Sequence, residues 1–416
     1  MPVTSPPPLA RRDRAAAMPF VMLVVLIDMV AIGIIIPVLP AWVGSFTASQ
    51  TEQAFWFGVV LFAFGLANFV GSPLLGALSD VYGRRPVLLV GFCGLGLNLF
   101  ATGFANALWV LIAVRLVGGA LQANAAVANA YVADITPPEE RAKRFGMLGA
   151  TFGLGFIVGP MLGGLLGTYS LRLPFFVAGG LTLVNFVYGV MVLPESLPPE
   201  RRRPFRAGMA NPFAALTALV RLEGVGLLVG VIALTALAQF TLYASWVLYT
   251  TFKFGWGPKE NGWSLAVVGV VSVIVQGFLL GPLLRRFSPR ALAIAGLASS
   301  ALAYVAWGAA TEGWMMYAVI VLNLLGFTIT AAIQSIVSTA ADAKSQGGIL
   351  GAVSSINSLA SVAAPLFSAP LLTLVSHLPP GDWRMGTPLY FCAVLQATGL
   401  ALAILHFRRE RMGTVR

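Results

Sequence analysis

Asp28 is a single carboxylate inside an apolar run, Met18 to Val43, that is otherwise nearly free of charge. An ionised, unpaired acid near the middle of a bilayer costs several kcal/mol, so such residues belong by default to proton or substrate pathways. Arg115 is its basic counterpart, a guanidinium that cannot shed its charge and needs a partner or water. Counting ~1.5 Å per helical residue puts both near mid-depth of their runs, where they could pair. Two readings stay open: a proton-responsive pair, or a structural ion pair buried between helices. Arg115, Gln122 and Asn129 recur at intervals of seven and share one helical face, a polar stripe suited to a water-filled cavity. Thr235, Gln239, Tyr243 and Trp246 form a second mixed face, and Asn323, Phe327, Thr330 and Gln334 a third. Aromatic and amide groups together suit a flat, amphipathic organic ligand, through stacking and a few hydrogen bonds. Asn68, Ser272, Gln276 and Asn357 extend the set. Each residue alone also serves as glue between helices, so roughly half are expected to touch substrate.

The elements that must position these groups are membrane spans. Hydrophobic residues make up 58% of the 416 and charged residues only 10%, too little polar surface for a soluble body of this size. The apolar runs are long and continuous, which indicates helices rather than barrel strands. Gly, Pro and charge clusters divide them at 18–43, 53–78, 86–106, 108–133, 144–168 and 172–193, then at 223–250, 260–283, 290–310, 313–341, 346–376 and 385–408. The expected fold is therefore an all-α integral membrane protein with twelve transmembrane helices in two six-helix halves. The N-terminal half covers 1–193 and the C-terminal half 223–416, with a charged linker, 194–222, between them. Within the linker, Asn211-Pro212 and the apolar residues after it fit either an amphipathic surface helix or a plain tether. The first run has no obvious cleavage site and reads as a span rather than a signal peptide.

Of 26 Lys and Arg, only Arg172, Lys253, Lys259 and Arg384 fall on the side opposite the termini, and Arg115 lies inside a span. That bias predicts both termini and the linker in the cytoplasm. It also assigns the net charge of +11 to topology and anionic lipid rather than to nucleic acid. Two His near helix ends, two Cys inside apolar runs and no metal-ligand spacing argue against an enzyme, a disulfide or a metal site.

Two motifs remain. The turn from Gly76 to Pro86 gathers Asp80, Gly83, Arg84 and Arg85 between apolar helices. Asp80 there can accept from exposed N–H groups at a neighbouring helix start, and Arg84 can pair with an acid across the half, so the turn could latch one conformation. The same offset that carries the first span onto the seventh carries this turn onto Gly281 to Arg290, a weak internal repeat. In the fifth span, Gly155, Gly159 and Gly163 stand four apart and clear one face for a neighbour, while Pro160 favours a bend.

The pattern Gly76, Leu78, Asp80, Gly83, Arg84, Arg85 resembles the loop motif of the major facilitator superfamily, and the string Gly155 to Gly164 resembles the antiporter motif of its proton-driven drug exporters. Further stretches, among them Asp28 to Pro40, Arg144 to Gly146, Leu193 to Ser196 and Trp263 to Ala266, are similar to the tetracycline/proton antiporter branch. The resemblance implies a bacterial inner-membrane exporter, working as a monomer without cofactor and exchanging an organic small molecule or drug for protons by alternating access. It implies a cavity lined by spans 1, 4, 7 and 10. Asn98, Ser272 and Ser300 stand where that branch carries titratable groups, so carboxylate-based coupling would rest on Asp28. A facilitator or importer of a metabolite, and a non-transporting receptor, are the alternatives.

Overall fold

In hydrocarbon a free backbone amide has no partner, so runs of this length close into helices. The computed structural model describes residues 11–122, 124–137, 140–205, 226–339 and 346–413, all-α with no strand among them. The N-terminal half consists of α1 (Arg11–Ile35), α2 (Leu39–Gly44), α3 (Gln50–Tyr82), α4 (Arg84–Phe104), α5 (Leu108–Leu121), α6 (Asn124–Ile135), α7 (Arg141–Tyr169) and α8 (Leu173–Val192). The C-terminal half consists of α9 (Gly226–Phe254), α10 (Pro258–Ile274), α11 (Leu280–Arg286), α12 (Pro289–Ala309), α13 (Gly313–Leu322), α14 (Ile329–Thr339), α15 (Gln346–Val375) and α16 (Thr387–Gly413). Among the described residues, eleven helices are long and apolar enough to cross a membrane, and twelve where the pair 313–322 and 324–336, bent by 52°, counts as one span. The possible amphipathic helix after Asn211 lies outside the described residues.

Several spans are discontinuous where even periodicity predicts one helix. Span 1 loosens at Ile36 to Val38, where Pro37 has no N–H to give and Ile36 bonds Gly33 at 3.2 Å instead. Span 4 breaks after α5, with Gln122 extended (φ −94°, ψ 92°). The break exposes the carbonyls of Gly119 and Gln122, and the Asn68 amide of α3 donates to both. Span 10 breaks at Asn323 and continues through a 3-10 turn, Leu324–Thr328. Span 8 passes through a π turn, Val275–Leu279, between α10 and α11. Helices broken at membrane depth are tolerated where they are buried in protein or line a cavity.

At the end opposite the termini one apolar core runs through both halves, joining Val43, Val60 and Leu111 to Trp256, Ala310 and Met316. Toward the terminal end it divides into a core around Val21, Leu88 and Tyr131 and another around Leu228, Leu297 and Phe407. The lateral seams repeat this division. On one side, Thr51 Oγ1 lies 2.8 Å from Ser376 Oγ, and Gly58 packs against Ala369. On the other, Gly164 meets Gly262 and Gly269 meets Ile157. Nearer the terminal end, Gly76, Gly146, Gly149, Gly277 and Gly281 have nothing over them within 4 Å. Among the described residues, the halves touch at one end and part at the other.

Candidate functional site

Asp28 is 1% exposed, in the part of α1 that passes from the terminal-end core toward the shared core. Its Oδ1 accepts from Asn124 Nδ2 at 2.9 Å, and its Oδ2 has no hydrogen-bond donor. Around it lies a small apolar cavity whose wall includes Val21, Val25, Leu88, Phe92, Ala128 and Phe152. One turn earlier, the Val24 carbonyl accepts from Asn185 of α8 at 2.9 Å. Just beyond Asp28, the glycine string fixes α1: Gly155 packs on Met29, Gly159 on Gly33 and Gly163 on the Ile34 carbonyl. A side chain at Gly33 would press on Gly159 and Pro160, each 2.9 Å from where its Cβ would stand. Pro160 itself lies within the continuous helix α7. A carboxylate with one oxygen held and the other unengaged can take or release a proton without rebuilding the site.

Arg115 does not pair with Asp28 in this conformation. It is 4% exposed, its Nε and Nη2 meet no acceptor, and its guanidinium stands 5.8 Å from the Phe64 ring centroid, a cation–π contact. The reason is the register of span 4: the residue that reaches Asp28 is Asn124, nine positions on, about 13 Å along a helix. The break at Gln122 also separates Arg115 on α5 from Asn129 on α6, so the seven-residue stripe is not one continuous face. Gln122 is half-buried with its carbonyl engaged by Asn68, and Asn129 is exposed and bonds the Ala125 carbonyl of its own helix at 2.8 Å. Asn98 donates to the Val114 carbonyl and abuts Gly118, tying α4 to α5 beside Arg115.

In the C-terminal half the expected polar faces divide into open and packed members. Gln239 donates to the Tyr243 hydroxyl at 2.8 Å, and both are exposed. Thr330 and Gln334 are exposed while Ala332 and Ile333 beside them are buried, and Asn357 and Gln276 are exposed as well, the latter bonded to Ser272 at 2.6 Å. Trp246 is not open: it is 4% exposed, donates to Ser264 Oγ at 3.0 Å and meets Trp307 edge-on. Asn323 is likewise buried, accepting from Ser299 at 2.8 Å where span 10 breaks, and Phe327 packs on the shared core. Broken helical phase in span 10 accounts for Asn323 and Phe327, whereas Trp246 is drawn into the core by its bond to Ser264 and its contact with Trp307.

At the terminal end, Gly83 joins α3 to α4 with φ +107° and ψ 158°, a conformation open in practice only to glycine. Arg84 then reaches Asp80 at 2.6 Å, Ser79 Oγ at 2.6 Å and Asp134 at 3.1 Å. The exposed amide at the start of α4 is taken by Glu195, which accepts from Arg84 N at 2.9 Å and Leu197 N at 3.0 Å; Asp80 does not perform that cap. Tyr131 donates to the Pro194 carbonyl at 2.7 Å, and Arg203 N donates to the Asp80 carbonyl at 3.1 Å. Asp134, Glu195 and Asn124 were not evident as site residues from spacing. The first two stand in polar segments where charge is unremarkable, and Asn124 lies out of phase with Arg115.

The family model described as Major Facilitator Superfamily matches residues 21–365 and 228–415. The class C tetracycline resistance protein of Escherichia coli is 36% identical, covering 88% of this chain and 92% of that protein. The class D protein of Salmonella ordonez is 33% identical, covering 92% and 94%. Among solved structures, a bacterial homologue of the human lysosomal transporter Spinster, inward-facing and unoccupied, superposes with a TM-score of 0.75 at 16% identity, covering 95% of this chain and 97% of that one. The Escherichia coli xylose transporter, partially occluded and inward-open, gives 0.69 at 14% identity, covering 93% and 97%. With twelve spans in two halves and a family match over both of them, the chain is a membrane transporter belonging to the major facilitator superfamily.

Proposed function

We propose that this protein exports an organic small molecule of tetracycline-like chemistry across the bacterial inner membrane in exchange for protons. The observation that carries the reading is Asp28: a buried mid-span carboxylate, half hydrogen-bonded, in a bundle sealed at one end and parted at the other. The similarity to tetracycline resistance proteins supplies the drug class. The excess of Lys and Arg on the terminal side supports cytoplasmic termini, which makes this conformation inward-open. In the cycle, Asp28 takes a proton when the cavity faces outward and releases it inward, and the change of charge shifts the balance between the two states. Arg115, lacking an acid partner in this state, is free to engage a carboxylate or the substrate in the other. The open residues Gln239, Tyr243, Gln334, Asn357 and Gln276 flank the substrate, and a single chain holds the complete site. The turn at Asp80 and Arg84 and the glycine string of α7 serve as the conformational gate.

Reconstituted in liposomes with an imposed pH gradient, the protein is expected to drive tetracycline against its concentration gradient. Asp28→Asn is expected to abolish that uphill movement while downhill exchange continues. Full gradient-driven transport by Asp28→Asn would overturn the proton role.

A further inference from the structure

We infer that Asn124 is the positioning residue for the proton site: its amide holds the ionised Asp28 carboxylate and thereby sets the pH at which Asp28 exchanges its proton. The inference rests on the reading of Asp28 as the proton carrier. Both side chains are buried, Asn124 at 5% and Asp28 at 1% exposure, and the bond between them is 2.9 Å long. Among the described residues, no other polar side chain lines the cavity around Asp28. The wall built by α1, α4, α6, α7 and Leu193 is otherwise apolar and carries no other titratable or charged group. Whatever favours the ionised carboxylate from a side chain therefore comes through Asn124.

Its placement is enforced from two sides. Asn124 stands on α6, just beyond the extended backbone at Gln122, which turns its amide toward α1. On the far side, the Asn124 Oδ1 occupies the space where a side chain on Gly91 of α4 would begin. The glycine leaves room for the amide to lie with its oxygen toward α4 and its NH2 toward Asp28. When the carboxyl takes a proton the charge-assisted bond weakens, and α1 and α6 lose the tie that joins them at this depth. A positioning role in span 4 thus links the proton site to a helix that is already broken.

The test is infrared difference spectroscopy on the purified full-length protein in lipid nanodiscs, titrated with pH and needing no substrate. The protonated-carboxyl stretch that Asp28→Asn removes reports the state of Asp28. Asn124→Ala is expected to move the midpoint of that band upward by about one pH unit, since a hydrogen bond to a charged group is worth at least that much. Gly91→Ala, which leaves the amide present but displaces it, is expected to move the midpoint the same way, and stands in should Asn124→Ala not fold. Asn124→Thr, which keeps a donor, is expected to recover part of the shift. An unmoved midpoint in folded Asn124→Ala and Gly91→Ala, with the Asp28 band intact, would overturn the positioning role. Absence of any band sensitive to Asp28→Asn would instead overturn the proton reading beneath it.

Discussion

Gly83 shows how much one residue decides at the terminal end. Its φ of +107° is closed to side-chain-bearing residues, and a Cβ there would collide with the Glu195 carboxylate that caps α4. Gly83→Ala is expected to cost about 1–3 kcal/mol, read as a lower thermal midpoint in detergent, with Arg84→Lys a milder loss because the guanidinium fork is gone. Trp246→Phe removes a buried bond to Ser264 and is expected to lower stability by about 1 kcal/mol while leaving substrate preference unchanged, checked by transport competition among related drugs. Asp28 was legible in the sequence because a lone charge in an apolar run has few explanations. Its partner was not: equal depth in two spans does not fix which way each side chain faces, and Arg115 faces Phe64 while Asn124 reaches Asp28. An asparagine in a transmembrane helix carries no comparable signal, since most such side chains serve packing.

Among the elements, the glycine string of α7 has two tasks. Gly155, Gly159 and Gly163 seat α1 just past Asp28, while Gly164 and Gly167 face Pro258 and Gly262 of α10 across the seam between halves. Gly159→Leu is expected to push α7 off α1, where its Cβ would stand 2.7 Å from the Gly33 Cα, and to cost about 1–3 kcal/mol with transport lost. Asn68→Leu is expected to destabilise by a similar amount, about 1–3 kcal/mol by thermal unfolding, because the Gln122 carbonyl is left without its donor while the Gly119 carbonyl keeps only the Gln122 N–H. The number and order of spans could be read from apolar run length alone, since hydrocarbon thickness sets it. Their interruptions could not, because Gln122 and Asn323 are no stronger helix breakers than many residues that stay helical. The breaks are held by tertiary donors, Asn68 in one case and Ser299 in the other.

At the scale of the whole molecule, the sealed end is where the two halves must separate for the opposite state to form. Thr51 and Ser376 meet there, one from each half. In a background with Cys93 and Cys392 replaced, Thr51→Cys with Ser376→Cys is expected to cross-link readily under mild oxidant and stop transport, with recovery on reduction. Cross-linked protein that transports at the uncross-linked rate would show that this seam does not open. The duplicated plan of six and six spans was visible in the sequence, but which end is closed was not: periodicity is the same in every state of the cycle.

The clamp formed by Arg84, Asp134, Glu195 and the Arg203 amide ties residues beyond the last span of the first half back onto its α3 to α4 turn. A gene cut after Leu193 would strip the first polypeptide of the carboxylate that closes its own α3 to α4 turn. A cut after Phe205 would keep it. Two fragments, 1–205 and 206–416, co-expressed as separate chains, are therefore expected to assemble into a transporting complex, whereas 1–193 with 194–416 should yield an unstable first fragment, detectable by immunoblot of the membranes.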